Sequence, residues 1–374
     1  MTGQNPSARN GNSFTAHCTD DSRFICFGGL GGKRYSDTYV LSHTNGERFT
    51  WRAPAIKGNL PTPRTFHTAW SALLPIVEYG EQKMKPYFFV SGGQNDDRES
   101  LSCTNALDLE TWTWRKLFCQ NNLPPSRDSA SAIHVPEDGR TFVFGGRSLP
   151  ENMKRSDFWV LDYSAADFSY HSNPSQTSTI AGCDWDEVIH NPMSTYEPWP
   201  SARQNTPFCV LGTTIYMFGG LLGERDGEFS VLGFPDDGLQ EGKAAAVSEE
   251  LWTFSIPDLR WRKLRTMGKA PSARYAHQLW TASDTELAVW GGLDGEHRFQ
   301  SVIHILDLYH MHWSTPYVGG LCPTRRYHFG CTSFNHGVAV RFSFLLNDFD
   351  PNMLKFTFQF VFPQISFESK FKFK

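Results

Sequence analysis

The sequence predicts an all-β protein in which repeated antiparallel sheets surround a common axis, as in a β-propeller. Five double glycines each end a short apolar run, a Trp and a Pro-to-Arg motif follow the pairs in turn, and aromatic residues make up 14% of the chain. Aromatic side chains favour strands, and self-similarity at this spacing is typical of repeat architectures. These observations predict one ring of blades over most of the 374 residues.

The double glycines mark the end of the second strand of each unit. Each pair follows a continuous apolar run such as FICF or IYMF, which is typical of a strand buried on both faces. Glycine permits positive φ and close backbone approach where neighbouring blades crowd together. We therefore assign a structural role to Gly28, Gly29, Gly92, Gly93, Gly145, Gly146, Gly219, Gly220, Gly291 and Gly292.

A second apolar run, a Trp and a Pro-to-Arg motif complete each unit. The Trp offers a large surface for packing between blades, and Pro suits the crossing to the next inner strand because it has no N–H to donate. The order of these markers resembles the kelch repeat over about residues 6–337. The resemblance implies blades of four antiparallel strands, and we predict a kelch-type propeller of six blades with the last one imperfect.

The repeat boundaries divide the chain into a propeller over residues 1–344 and a tail over residues 345–374. The predicted blades lie near residues 9–63, 64–126, 127–202, 203–273, 274–325 and 326–344. The last blade is incomplete because Phe342 and Ser343 stand where a sixth double glycine is expected. The Phe- and Lys-rich tail is either a divergent pair of last-blade strands, which the alternating Phe residues of 355–362 favour, or an extension foreign to the repeat.

Connectivity places the loops after the double glycines and the loops around the Pro-to-Arg motifs on one face of the ring. Loops carry recognition while the blades hold them rigid. Arginines follow every double glycine and end every Pro-to-Arg motif, so this face is expected to offer guanidinium groups to an acidic partner segment. The candidate partner-binding residues are Arg34, Arg98, Arg147, Arg225, Arg298, Arg64, Arg127, Arg203, Arg274 and Arg326, with Phe229 and Phe234 in an insertion.

Structural explanations for the same residues stay open beside the binding hypothesis. The Pro-adjacent arginines belong to the repeat itself and can hold loop carbonyls or neighbouring acids. The post-glycine arginines lie among acids such as Asp294 and Glu296, which can neutralise them. The insertion 221–249 is either a loop that orders on contact or a tolerated surface insertion. Two further insertions, residues 73–86 and 163–184, fall on the opposite face.

The sequence gives little support for catalysis. It contains no nucleophile elbow, P-loop or H-E-x-x-H motif, and its eight cysteines form no CxxC pair, so we assign no catalytic residue, metal or cofactor. His67, His277 and His328 follow Pro-adjacent arginines and are more typical of the blade core than of ligands. The alternative function is a kelch-fold lyase or isomerase that uses acidic and Arg side chains at the channel mouth.

The net charge and the hydropathy of the chain limit the classes of partner that it is expected to bind. The net charge is −4, which favours no nucleic-acid role, and no apolar run reaches the length of a membrane span. The first residues lack the apolar segment of a signal peptide, so we expect a cytoplasmic or nuclear protein with reduced cysteines. The family resemblance implies a protein partner, such as a ubiquitin-ligase substrate, the actin cytoskeleton or a signalling protein. Because few residues precede the first repeat, we expect either a free-standing propeller without a BTB or F-box domain or a fragment of a longer chain.

Overall fold

The computed structural model describes residues 2–44, 48–78, 81–119, 123–164, 166, 179–189, 197–223, 245–316, 330–334 and 338–342. All helix or strand structure in these residues is β-strand, which confirms the predicted all-β class. Five sheets have four or more strands, and each contains a run of four antiparallel strands. These five sheets are the blades.

The strands are as follows in chain order. Blade 1 contains β1 (Thr2–Gly3), β2 (Ser13–His17), β3 (Asp20–Phe27), β4 (Thr38–Thr44) and β5 (Arg48–Arg52). Blade 2 contains β6 (Lys57–Gly58), β7 (Thr68–Glu78), β8 (Glu81–Ser91), β9 (Thr104–Asp108) and β10 (Thr113–Phe118). The blade 3 segment contains β11 (Ser131–Val135), β12 (Arg140–Phe144), β13 (Arg147–Ser148), β14 (Met153–Lys154), β15 (Phe158–Asp162), β16 (Thr179–Ala181) and β17 (Asp184–Glu187).

The remaining strands belong to the second half of the ring. The blade 4 segment contains β18 (Arg203–Gln204), β19 (Phe208–Leu211), β20 (Thr214–Phe218), β21 (Leu221–Leu222), β22 (Leu251–Ser255) and β23 (Arg260–Leu264). Blade 5 contains β24 (Met267–Gly268), β25 (Gln278–Ser283), β26 (Glu286–Trp290), β27 (His304–Asp307) and β28 (His312–Ser314). A final hairpin contains β29 (Gly330–Phe334) and β30 (Val338–Phe342).

The first long strand of each blade is the innermost, and these strands form a closed ring. Strands β2, β7, β11, β19 and β25 each contact the equivalent strand of the next blade, and β29 contacts both β25 and β2. The propeller prediction is confirmed. The described residues form five blades, however, where six were predicted; at the sixth position they form only the two-stranded sheet of β29 and β30. The tail, residues 345–374, lies outside the described residues.

The double glycines lie where two blades meet, as the second blade shows. Gly92 and Gly93 have φ of 63° and 94°. A Cβ atom on Gly92 would stand 2.4 Å from the carbonyl oxygen of Arg127 in the next blade. The Gly93 N–H donates to that same oxygen at 2.9 Å. Glycine is required here because a side chain would push the neighbouring blade away.

The outer-strand tryptophans pack between blades, as predicted. Five of them are at most 2% exposed, namely Trp51, Trp114, Trp185, Trp261 and Trp313. The Trp114 ring lies 5.1 Å from that of Phe27 in blade 1, and the Trp313 ring lies 5.8 Å from that of Phe218 in blade 4. These contacts bury large aromatic surfaces between consecutive blades and hold the ring together.

The two insertions on the face opposite the glycine loops have defined parts. Residues 73–86 continue the pairing of β7 with β8, so that blade 2 carries a hairpin with eleven residues in each strand. The end of the insertion 163–184 includes β16, which pairs in parallel with β10 of blade 2. This second insertion therefore links blade 3 to the outer edge of blade 2.

Candidate functional site

One arginine in each blade ties the loop face, the face that carries the glycine loops, to the blade interior. These repeat arginines are Arg9, Arg64, Arg127, Arg203 and Arg274, all at most 4% exposed. In each, Nη1 donates to the carbonyl oxygen of the first glycine of its own blade, at 2.8 to 3.3 Å. The backbone carbonyl oxygens of the last four arginines accept hydrogen bonds from the N–H of the second glycine of the preceding blade, at 2.8 to 2.9 Å.

This geometry corrects the predicted guanidinium belt. Buried side chains cannot meet a partner, so Arg64, Arg127, Arg203 and Arg274 leave the set of candidate binding residues and take the structural role that stayed open. Their hydrogen bonds satisfy loop carbonyls that would otherwise be buried without a donor. Arg326 lies outside the described residues.

A carboxylate accompanies three of the repeat arginines. Arg9 pairs with Asp37, Arg127 Nη2 lies 2.6 Å from Asp157, and Arg203 Nη2 lies 2.8 Å from Glu250. Burial opposes ionisation of Glu250, but hydrogen bonds from Lys263, Arg203 and Trp252 outweigh it and lower its pKa to about 2. Each of these acids stands directly before the third strand of its blade, so its ion pair fixes the start of that strand to the glycine loop.

Blades 2 and 5 lack this carboxylate. The equivalent position in blade 2 is Cys103, whose Sγ accepts from Arg64 Nη2 at 3.2 Å. In blade 5 the register pairs Val289 of β26 with His304 of β27, and continuing it by two residues places Val302 at the equivalent position. Burial lowers the pKa of Arg274 to about 10, and Asp294 offsets only part of that effect.

Among the described residues, four backbone hydrogen bonds form a partial ring around the channel mouth. Its members lie two positions after each repeat arginine and are Gly11, Phe66, Ser129, Asn205 and Ala276. All five have φ between 54° and 59°. From Phe66 onwards, each N–H donates to the carbonyl oxygen of the preceding member at 2.8 to 2.9 Å. Four of the five are not glycine, so this ring holds them in a conformation that costs L-residues energy.

The channel behind this ring is small and uncharged in its described lining. A cavity of about 270 Å³ is lined by the ring residues and by the first residues of the innermost strands. His67 Nε2 lies 2.9 Å from Ser13 Oγ. Burial, and then Arg64, lower the pKa of His67 to about 3, and burial holds the pKa of His277 well below its usual value. Both histidines are buried core residues as predicted, whereas His328 lies outside the described residues.

Three of the post-glycine arginines have partners inside the protein that the structure describes. Arg34 reaches into the next blade, where Nη2 donates to Gln94 Oε1 at 2.6 Å. Arg147 is buried and lies 3.2 Å from Asp128. Arg298 is exposed but pairs with Asp294 at 2.9 Å and Glu296 at 2.8 Å.

The exposed part of the loop face therefore carries both signs of charge. Arg98 is exposed next to Asp96, Asp97 and Glu99, and Lys33 is exposed in the loop of blade 1. Arg225, Phe229 and Phe234 lie outside the described residues. Hydrogen bonds and ion pairs thus hold several loop arginines in place, and the described surface is not a continuous basic belt.

The sequence matches a known family over most of the ring. The family profile described as the KLHDC2/KLHL20/DRC7 Kelch-repeats domain matches residues 82–220 and 237–341. The chain belongs to this kelch-repeat family. The predicted kelch type of the propeller is therefore confirmed, and the repeat arginines and double glycines described above are elements of a kelch propeller.

Three relatives of this kelch propeller illustrate its range. The human Rab9 effector protein with kelch motifs is 29% identical over 248 residues, which cover 66% of this chain and 53% of that protein. Acyl-CoA-binding domain-containing protein 4 of Arabidopsis thaliana is 23% identical over 277 residues, 74% of this chain and 34% of that protein. The dynein alpha chain of the flagellar outer arm of Chlamydomonas reinhardtii is 29% identical over 279 residues, 70% of this chain and 5% of that protein. The chain thus spans about half or less of these relatives.

The described residues include no helix with the length and apolar character of a membrane span. They contain no group of three or more His, Cys, Asp or Glu side chains placed to hold a metal ion.

Sequence reasoning missed a glycine that the kelch propeller uses at its outer edge. The short strands β1, β6 and β24 pair in parallel with the outer strands β5, β10 and β28 of the blades that they precede. Each ends in a glycine six positions before a repeat arginine: Gly3, Gly58 and Gly268. The repeated spacing from Gly to Arg was the available signal. The left-handed residues of the mouth, by contrast, gave none, because Phe66, Ser129, Asn205 and Ala276 share no residue type.

Proposed function

We propose that this kelch propeller is a protein-interaction scaffold that binds a segment of a partner protein through its loop face. The observation that carries the proposal is the arrangement of the loops: exposed side chains such as Lys33, Arg98 and Glu296 stand on loops whose backbones are fixed from behind by the repeat arginines. A rigid support lowers the entropy that loops lose on binding, which favours recognition there.

The residues that line the channel favour the binding of a partner at the rim over catalysis inside the channel. Its described lining includes no Asp or Glu side chain, and its histidines are neutral at pH 7 because burial lowers their pKa. A lyase or isomerase would need a titrating acid or base within reach of a bound substrate. This lining therefore favours the scaffold over the enzyme alternative.

The charges of the loop face suggest which part of it an acidic partner segment would meet. Arg34, Arg147 and Arg298 are held by Gln94, Asp128 and a pair of acids respectively. Lys33 and Arg98 are exposed on this face, so an acidic segment could reach both, with acids such as Asp97 engaging basic residues of the same partner. Mixed charge of this kind sets specificity and association rate more than affinity.

The relatives suggest which partners to test first. One of them is named as a Rab9 effector, so a Rab-type GTPase is the first partner class for this chain. Ubiquitin-ligase substrates and cytoskeletal proteins follow from the kelch family. Each of these partners would place the propeller in the cytoplasm or nucleus.

Binding of purified Rab9 to the full chain, measured by biolayer interferometry, tests the partner class. The double variant Lys33→Glu, Arg98→Glu should weaken binding at least tenfold, because two attractive charges become repulsive. The control variant Arg262→Glu, on the outer strand of blade 4, should bind like the wild type. Binding that the double variant leaves unchanged would contradict the loop-face proposal. Failure to bind Rab9 at all would remove that partner class only, and the same variants would then be tested with an actin-filament probe.

A further inference from the structure

Among the described residues, the outer half of β8 pairs with a strand on one side only. Strands β7 and β8 pair over their whole length, from Thr68 opposite Ser91 to Glu78 opposite Glu81. On its other side, β8 pairs with β9 only over Tyr87–Ser91. Residues 81–86 therefore have a strand on one side and, in the part of the chain that is described, none on the other.

The backbone direction of this edge follows from one hydrogen bond. The Leu109 N–H donates to the carbonyl oxygen of Pro86 at 3.1 Å, on the side of β9. Alternate residues of a strand point their N–H and C=O groups to the same side. The N–H and C=O groups of Met84 and Gln82 therefore point to the open side. Such a row of unpaired groups is a template for strand addition.

A groove runs beside this edge, on the face of the ring opposite the loop face. It encloses about 1110 Å³ between the long hairpin of blade 2 and the first turn of blade 1. The hairpin gives it an apolar wall of Leu73, Met84 and Pro86, which share one side of the sheet because Leu73 pairs with Pro86 and Pro75 with Met84. Met84 is 54% exposed. This wall has room for an apolar side chain of a bound segment.

The charges in the groove favour an acidic residue in the occupant. Three of its charged lining residues have ion pairs: Arg23 and Asp20 with each other at 2.9 Å, and Glu110 with Lys85 at 3.7 Å. Arg52 lies over the ring of Trp112 at 5.6 Å and has no carboxylate partner among the described residues. Asp21 completes the rim. A carboxylate brought beside Arg52 would gain a charge-assisted hydrogen bond.

We propose that the open edge of β8, residues 81–86, binds an extended segment of a partner protein as an added strand. The segment places an apolar side chain against Met84 and Trp112 and an acidic side chain against Arg52. Main-chain hydrogen bonds to Gln82 and Met84 supply affinity, while the wall and Arg52 supply specificity. This second site lies opposite the loop face and does not depend on the function proposed for that face.

A displayed library of random 12-residue peptides, panned against the full chain, provides the probe. We expect enriched peptides to alternate apolar and polar residues and to carry an acid. The most enriched peptide is then synthesised with single N-methyl groups along its backbone, and its affinity is measured by fluorescence anisotropy. Methylation at every second amide should weaken binding at least tenfold, and methylation at the amides between them should have little effect, because only alternate N–H groups face β8.

Variants of the edge give the matching test on the protein side. Met84→Pro removes both the outward N–H and the apolar side chain of the wall and should weaken the peptide at least tenfold, and Arg52→Gln should weaken acidic peptides alone. Met84→Lys replaces the apolar wall residue if the proline variant fails to fold. Arg298→Gln on the loop face is the control and should change nothing. A library that yields no binders, or binders insensitive to both N-methylation and the Met84 variants, would overturn the proposal.

Discussion

At the residue scale, the repeat arginine of each blade connects the loop face to the glycine turn by a hydrogen bond. A guanidinium group loses most of its hydration on burial, so it must find partners inside the protein. In Arg203 these are the Gly219 carbonyl oxygen at 2.9 Å, the Ser201 carbonyl oxygen at 3.0 Å and Glu250 at 2.8 Å. One side chain therefore joins the loop face, the glycine turn and the third strand of blade 4.

Replacing Arg203 by Gln should destabilise the protein markedly. The change leaves the Gly219 carbonyl and part of the Glu250 carboxylate without a donor, and breaking a buried pair in this way costs about 3 kcal/mol. Differential scanning calorimetry measures the loss as a lowered Tm. The control Arg262→Gln removes an exposed guanidinium from the neighbouring outer strand and should shift stability by no more than about 0.5 kcal/mol. Equal Tm values for the two variants would contradict the structural role.

The low pKa of Glu250 predicts how this connection responds to acid. The carboxylate has a pKa of about 2 in the folded protein against an ordinary value of 4.5. Its contribution to stability is therefore fully present above pH 4.5 and is lost as the pH falls towards 2. The Tm gap between wild type and Glu250→Gln should be widest at neutral pH and close between pH 4.5 and pH 2. A gap that stays constant over this range would show that the charge of Glu250 contributes nothing.

At the element scale, the linkers between blades also protect the sheet edges. Strands β1, β6 and β24 each add a parallel neighbour to an outer strand that would otherwise expose its hydrogen-bonding groups. Gly268 shows why a glycine ends such a strand. Its φ is +82°, and a Cβ atom there would stand 2.4 Å from the Trp313 carbonyl oxygen.

Gly268→Ala should therefore cost more than an ordinary glycine substitution. Gly139 offers a matched control, because its φ is +74° but nothing lies within 4 Å of an added Cβ. Gly139→Ala should cost about 1 kcal/mol for the left-handed conformation alone. Gly268→Ala should cost at least about 1 kcal/mol more, since relieving the clash breaks the pairing of β24 with β28. Urea denaturation compares the two variants, and equal midpoints would refute a role for this contact.

At the scale of the whole molecule, the ring closes through the inner strand of the last hairpin. Strand β29 contacts β25 of blade 5 and β2 of blade 1. Closure removes the two open sides that a five-bladed arc would expose. Residues 343–374 lie outside the described set, so both interpretations of the tail remain predictions.

Two shortened chains distinguish the contribution of the β29–β30 hairpin to stability from that of the tail. A chain ending at residue 342 keeps β29 and β30 and should remain folded and monomeric, because the inner contacts of the ring are intact. A chain ending at residue 316 also loses the hairpin, and it should melt at a lower temperature and show faster hydrogen exchange in β2 and β25. Size-exclusion chromatography and hydrogen-exchange mass spectrometry make the comparison. Aggregation of the chain ending at residue 342 would identify residues 343–374 as part of the ring.

The sequence by itself determined the repeat and the roles that follow from local pattern. Double glycines after apolar runs placed the second strands, and the Trp of each unit indicated packing between blades, as Trp114 and Trp313 confirm. These inferences succeed because strand burial and turn conformation depend on residues that are close in the chain. The burial of His67 and His277 was also predicted from their positions in this repeat.

Only the tertiary structure decided which arginines are buried and which edges are open. Arg64 and Arg98 both belong to loops of the same face, yet Arg64 is buried beneath the Gly92 carbonyl and Arg98 is exposed. The open side of β8 likewise depends on where β9 stops pairing. Such facts depend on contacts between residues that are distant in the chain, such as the 28 positions from Arg64 to Gly92, and the local residue pattern does not encode them.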